Sequence, residues 1–300
     1  MAEMIGCFTN RVMARIFFAL LAVNAIAAFA EEAVMLDVNE AKIFFEVAGQ
    51  GQPLVFIHAG VADSRQWNNE FRSLSTEYNV LRYDMRGFGQ SDPVDGEFSH
   101  LDDLLSLLDE LSFDEPVILI GCSMGGATAL DYALLHPQKV RALVLVDSAP
   151  SGLELDLPTP PKFKLVAEAD KAGDLELVAE LETQIWFDGD RQSSDVDQTM
   201  RQLAYDMNLI ALENDARELG TRLPNSDTPA IDRLDELQIP VLAIVGDNDI
   251  PYMHAAAEAM SSKISNYQRV DIANAAHLPN MDQPEEFKRV LETFIQSVAR

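Results

Sequence analysis

An α/β fold, a mostly parallel sheet with helices on both faces and a helical cap insertion, is what this sequence predicts. Three observations carry that expectation. Short apolar runs at 54–57, 116–120, 142–146 and 241–245 alternate with longer amphipathic stretches, and strands that are apolar throughout are those buried on both faces. The pentapeptide Gly121-Cys122-Ser123-Met124-Gly125 stands at the junction between one such run and a helical run. From about residue 151 to 232 the alternation stops: no apolar strand occurs there, and Pro158, Pro160, Pro161, Pro224 and Pro229 punctuate the two ends.

In chain order, residues 34–38 and 42–47 alternate as two strands of an opening hairpin, with Asp37-Val38-Asn39-Glu40 near its turn. The strand at 54–57 runs into the loop His58-Ala59-Gly60-Val61, and helical periodicity follows over 64–74 with Asp63 or Ser64 as N-cap. Residues 80–83 form the next strand and open into a turn-rich segment at 84–93. Residues 99–111 read as an amphipathic helix with Leu101, Leu104, Leu105, Leu108 and Leu111 on one face. After the pentapeptide, residues 126–135 place small and apolar side chains at helical spacing, and 142–146 is again a buried strand. The interruption holds helical stretches at 163–181 and 196–212, many of their residues acidic. It reads as a lid over the sheet's carboxyl edge, where ligands bind in open α/β sheets. Strands resume at 241–245 and 267–272, and an amphipathic helix at 284–298 turns Phe287, Val290, Leu291, Phe294 and Ile295 inward. The expected organisation is a leader at 1–30, core at 31–150, cap insertion at 151–232 and core again at 233–300.

A chain of 300 residues, 48% of them hydrophobic, has apolar mass for a substantial core. Its first thirty residues have another logic. Arg11 and Arg15 precede an apolar run over 16–27, and Ala28-Phe29-Ala30 then meets Glu31-Glu32. This is the pattern of a secretory signal peptide cleaved after Ala30, and it predicts a periplasmic or secreted protein. Cys7 would leave with the leader, so Cys122 alone remains and no internal disulfide can form. The net charge of −27 disfavours nucleic acid and anionic membrane as partners of the mature chain and leaves a small-molecule substrate as the expected one.

Gly-x-Ser-x-Gly between a strand and a helix is a nucleophile elbow. The turn is tight enough that a Cβ two places either side of the serine would collide, so glycine is required at 121 and 125. Ser123 is inert until an imidazole takes its proton, and the imidazole needs a carboxylate to hold its tautomer. In this fold order the acid and then the histidine follow the serine, each on a loop after a strand. His277 alone of the five histidines has that position. His58 suits a brace for the neighbouring loop through backbone hydrogen bonds, His136 a helix C-cap, and His100 and His254 surface or packing places. Asp249 and Asp247 both follow the strand at 241–245, and Asp147 ends the strand before the insertion. An oxyanion hole requires two backbone N–H donors. Met124 supplies one, and the loop after 54–57 supplies the other from Gly60 or Val61. Cys122 is one place out of register for attack and should point into the sheet. Val61 and, in the insertion, Trp186 are the candidates for touching substrate; Trp186 and Phe187 either line a pocket or pack the lid.

These elements in this order resemble the α/β-hydrolase superfamily over nearly all of 34–298 apart from the insertion. The motifs are Phe56-Ile57-His58-Ala59-Gly60, Tyr83-Asp84-Met85-Arg86-Gly87-Phe88-Gly89-Gln90-Ser91, the elbow, Val245-Gly246-Asp247-Asn248-Asp249 and Ala276-His277-Leu278-Pro279-Asn280-Met281. The resemblance implies Ser123 as nucleophile, Asp249 as acid, His277 as base and Gly60 with Met124 as oxyanion donors. It also implies a structural role for Arg86 and neither metal nor organic cofactor. Ala59 departs from the pattern, since most relatives carry a second glycine there. A serine nucleophile sets the chain apart from the aspartate-nucleophile dehalogenases and epoxide hydrolases. It leaves a serine hydrolase of a small ester or lactone. The alternatives are a carbon–carbon bond or enol-lactone hydrolase of aromatic breakdown products, or a non-catalytic ligand receptor on the same scaffold.

Overall fold

Strand β1 (Glu32–Val38) and strand β2 (Ala41–Ala48) form the opening hairpin, closed by Asn39 and Glu40 at φ 45° and 67°, the left-handed pair a two-residue turn needs. The structure is a computed structural model that describes residues 32–299 other than residue 94; the expected leader at 1–30, with Cys7, lies outside the described residues. Strand β3 (Pro53–Ile57) leads through a 3-10 turn at Ser64–Trp67 into helix α1 (Asn68–Leu74). Asp63 caps that turn by accepting from the Arg65 N–H. Strand β4 (Asn79–Tyr83), the short strand β5 (Gly96–Phe98) and helix α2 (His100–Glu110) follow. Helix α2 buries Leu101, Leu104, Leu107 and Leu108; the expected Leu105 and Leu111 are only partly covered, a rotation of the apolar stripe by about one residue.

Strand β6 (Val117–Cys122), helix α3 (Met124–Leu135) and strand β7 (Val140–Val146) make the central unit. The segment that follows is mostly helical: α4 (Lys162–Ala172), α5 (Leu175–Thr183), a π-helical turn at Gln184–Asp188, and α6 (Gln198–Asp215). The single helical stretch expected at 163–181 is thus two helices. Gly173 ends the first in the left-handed conformation at φ 71°, and Asp174 caps the second by accepting from the Leu177 N–H. The segment also contains strand β8 (Gly220–Arg222), paired with β5; all three of its residues are exposed, so no apolar pattern announced it. Strand β9 (Val241–Gly246), helix α7 (Pro251–Ser261), strand β10 (Tyr267–Ile272), the short helix α8 (Pro279–Asp282) and helix α9 (Pro284–Val298) complete the chain.

Eight strands form one sheet in the order β1-β2-β4-β3-β6-β7-β9-β10, parallel from β4 to β10, with β2 antiparallel to both its neighbours. Alternate side chains of one strand enter two cores. From β6, Ile118, Ile120 and Cys122 pack with Trp67 and Phe287 on one face, whereas Val117 and Leu119 pack with Leu104 and Leu130 on the other. Both faces are covered, which is why these strands are apolar at every position. Among the described residues no helix is long and apolar enough to cross a membrane.

Candidate active site

Ser123 lies between the last residue of β6 and the first of α3, at φ 51° and ψ −115°. A residue with a Cβ is held there at a cost of roughly 1–3 kcal/mol, and its bonds show what holds it. The Ser123 N–H donates to Val146 O at 2.9 Å, while Ser123 O accepts from Ala127 N–H and from the Ser148 hydroxyl, each at 2.9 Å. A Cβ at Gly121 would fall 2.4 Å from Gly125 O, and one at Gly125 would fall 2.4 Å from His58 O. Both glycines are therefore required by backbone, which cannot move aside. Cys122 is fully buried, and burial first, then the Asp147 charge, pushes its thiol well above the usual range.

Asp249 sits in the loop between β9 and α7, and His277 in the loop between β10 and α8. The two meet at the sheet's carboxyl edge: His277 Nδ1 is 2.7 Å from Asp249 Oδ2, with residue exposures of 1% and 7%. Because the carboxylate accepts, Nδ1 carries the hydrogen, and in the neutral ring Nε2 is the free nitrogen. The other oxygen, Oδ1, accepts from Ile250 N–H at 2.7 Å. Burial pushes the Asp249 carboxyl up, but the facing His277 charge and the hydrogen bonds from His277, Asp147 and Ile250 outweigh it and hold the group below its ordinary value. Of the other two candidate acids, Asp247 is exposed; Asp147 is fully buried and faces Asp249.

Trp186 belongs to the π-helical turn and does more than pack the insertion. Its carbonyl accepts the His277 N–H at 3.0 Å, and its ring lies 4.4 Å from the imidazole, centroid to centroid. Phe163 of α4 meets the indole edge-on, 5.6 Å between ring centres, whereas Phe187 is buried in the core. No sequence spacing announces a π turn, so this contact was not foreseeable.

On the opposite side, a Cβ at Gly60 would lie 3.6 Å from Met124 Cβ and Sδ, which sets the loop after β3 against the start of α3. The Ala59 N–H is engaged by Gln66 Oε1 at 2.9 Å. Among the described residues the Gly60 and Val61 amides meet no protein acceptor, and the Met124 amide is the first of its helix, where no intrahelical partner exists. Val61 itself is partly buried against the core. His58 braces this loop as expected: Nε2 accepts from Met85 N–H at 2.9 Å, so Nδ1–H donates to Ala59 O at 2.7 Å. Gln66 extends the tie to the histidine loop, since Asn280 Nδ2 donates to Gln66 O at 2.7 Å and to Glu70 Oε2 at 3.3 Å. Burial raises Glu70 to about 7. Arg86 holds the Asp103 carboxylate with two bonds of 2.8 and 2.9 Å, and the Asn39 carbonyl accepts from it at 2.9 Å, a structural tie beneath the site. His100 is buried between Phe88 and Phe98, His136 caps α3, and His254 lies beside Arg269.

Two cavities border the insertion, and neither is lined by Ser123 or His277. One, of about 410 Å³, is lined by Phe88, Phe98, His100, Ala211 and Arg222. The other, of about 560 Å³, is lined by Pro160, Pro161, Ile185, Asn248, Asp249 and Ile250, so the insertion and the acid loop share a wall. Asp147, Asp249 and His277 are also a donor set of the kind that binds cations. The 2.7 Å separation of His277 Nδ1 and Asp249 Oδ2 is that of an ordinary N–H···O hydrogen bond.

The family model for the alpha/beta hydrolase fold matches residues 52–284. A 3-oxoadipate enol-lactonase of Acinetobacter baylyi is 29% identical over 82% of this chain and 89% of its own. A 2-hydroxy-6-oxononadienedioate/2-hydroxy-6-oxononatrienedioate hydrolase of Paraburkholderia xenovorans is 27% identical over 86% and 91%. Among solved structures, a thermophilic esterase from Thermogutta terrifontis superposes with a TM-score of 0.71 at 26% identity, covering 90% of this chain and all of that one.

Proposed function

The chain belongs to the alpha/beta hydrolase fold family and is a hydrolase, and on that premise we propose that it cleaves a small-molecule ester or lactone through Ser123, His277 and Asp249. The observation that carries this reading is the buried 2.7 Å contact between His277 Nδ1 and Asp249, which leaves Nε2 as the basic nitrogen at the sheet edge that holds the strained Ser123. In the first half-reaction Nε2 takes the Ser123 proton as Oγ attacks the carbonyl carbon. The oxyanion lies against the Met124 N–H and the N–H of Gly60 or Val61; Ala59 is excluded as donor because Gln66 occupies its amide. The imidazolium formed, stabilised by Asp249, returns the proton to the leaving alcohol or enol. In the second half, water gives its proton to Nε2 and adds to the acyl carbon, the bond from that carbon to Ser123 Oγ breaks, and the imidazolium returns the proton to Oγ as the acid leaves.

The helical segment at 151–232 is the lid in this reading. Trp186 presses on the imidazole ring from the lid side, and Val61 stands at the oxyanion loop, so both would touch substrate. Hydrolysis of a carbon–carbon bond or enol-lactone is the second reading, favoured by likeness to the enol-lactonase and the dienedioate hydrolase. A panel of p-nitrophenyl esters, an enol-lactone and a vinylogous diketone, assayed on wild type and Ser123→Ala, tests both. Turnover of esters that disappears with the hydroxyl supports the first; turnover confined to the enol-lactone or the diketone selects the second; binding of any of them without turnover points to a receptor. Export belongs to the proposal as well, on the pattern at 1–30. Intact mass of the protein recovered from its native host should begin at Glu31, and a chain that retains Met1 in the cytoplasm would contradict it.

A further inference from the structure

The mechanism makes no use of Asp147, yet few residues are as constrained. It follows the last residue of β7, is fully buried and takes φ 42°, a left-handed conformation that aspartate tolerates better than most residues. Its own N–H donates to Ile244 O at 2.8 Å. Gly246 N–H points at both carboxyl oxygens, 3.0 and 3.2 Å away. A ligand atom of Asp147, one of Asp249 and one of His277 all lie within 4.8 Å of one another. The groups that face it are Cys122 from β6, Asp249 and His277 from their loops, and Asp271 from β10; among the described residues no lysine or arginine pairs with it.

Two carboxylates in contact and out of water cannot both be charged, and one proton between them resolves the repulsion. The shared proton belongs on the carboxyl farther from a positive charge. Asp249 accepts from the imidazole and from Ile250 N–H, so the charge stays there. Burial, then the Asp249 charge and the hydrogen bond to Asp249, push the Asp147 carboxyl well above its ordinary value, while Asp249 is held below.

We propose that Asp147 is a positioning residue, a neutral carboxylic acid whose O–H donates to Asp249 and fixes that carboxylate on the Nδ1–H of His277. This rests on the Ser123–His277–Asp249 reading. The Asp147 proton stays on Asp147 through the cycle and enters neither half-reaction. Its work is to orient Asp249 and to keep a single negative charge opposite the imidazolium.

Two measurements test it. Infrared difference spectra of wild type against Asp147→Asn should show a protonated-carboxyl C=O band at neutral pH that is absent from the variant. In kinetics, Asp147→Asn keeps an amide donor and should retain kcat/KM within about fivefold, whereas Asp147→Ala should lose about 10- to 100-fold in kcat with KM little changed. Wild-type activity should fall at alkaline pH as Asp147 ionises, and that limb should vanish in Asp147→Asn. Three results would overturn the proposal: no carboxyl band, an alanine variant with wild-type kcat and pH profile, or activity removed by chelator and restored by a divalent cation, which would make Asp147 a ligand. If Asp147→Ala does not fold, the band and the alkaline limb decide between wild type and Asp147→Asn. If wild type hydrolyses nothing and forms no serine adduct, the functional reading has failed, and the band still reports where the proton sits.

Discussion

The sheet's carboxyl edge and the helical segment above it are built to different standards. Strands β3, β6 and β9 are buried at every position, and the loops that leave them interlock: Ser148 on Ser123, Asp147 and Ile250 on Asp249, Gln66 on Asn280. In the insertion, α4 buries only Ala169, and α6 buries four of its eighteen residues. Phe187, Val196, Ala204 and Met207 anchor it in the main core, and polar ties supply much of the rest: Arg201 binds Asp188 and Glu180, and Arg191 reaches Asp282 beside the histidine loop. Burial is continuous at the sheet edge, whereas the insertion combines a few apolar anchors with ion pairs that can be exchanged one at a time.

The comparison can be broken most forcefully at the edge. His277→Ala should lower kcat/KM by about 10⁴-fold or more; steady-state kinetics on protein shown to be folded by a melting curve reads it, and a modest loss would remove His277 from the chemistry. Gly125→Ala places a Cβ 2.4 Å from the His58 carbonyl, so denaturant titration should show a loss of about 3 kcal/mol or more, or no folded protein.

Next comes Glu70, whose carboxyl is raised from 4.5 to about 7. In that window the folded protein holds a proton that the unfolded chain releases, so stability falls as pH rises from about 4.5 through 7, by roughly 3 kcal/mol in all. Glu70→Gln should flatten that slope in urea titrations at several pH values; an unchanged slope would mean another group carries it. The smallest effects belong to the insertion. Arg201→Ala should cost about 2 kcal/mol and speed hydrogen exchange across α5 and α6 first, and Leu165→Asp, on the exposed face of α4, should stay within about 0.5 kcal/mol of wild type. Equal losses at both positions would show that the insertion is packed as tightly as the edge.

Much of the fold is legible in the sequence because burial on both faces writes an uninterrupted apolar run, as at 54–57 and 241–245, and because Pro284 and five inward residues delimit α9. The meeting of Asp249 and His277 is legible for a similar reason, since each sits on the loop directly after a strand of known neighbours. Three features are not. Strand β8 is exposed and polar, so no periodicity marks it. The break at Gly173-Asp174 carries a readable signal, a left-handed glycine before an N-capping aspartate, but one that helical periodicity on either side overrides. The contacts of Trp186 and Asp147 depend on which buried groups face each other across elements 91 and 102 residues apart, a property of packing that local pattern does not encode.

Whether Ser123 is the activated nucleophile is tested most directly by covalent capture. Wild-type protein treated with a fluorophosphonate and mapped by peptide mass spectrometry should carry one adduct, on Ser123, and His277→Ala should carry almost none under the same conditions. An adduct on any other residue, or full labelling of Ser123 without the imidazole, would contradict the assignment of His277 as the group that takes the serine proton.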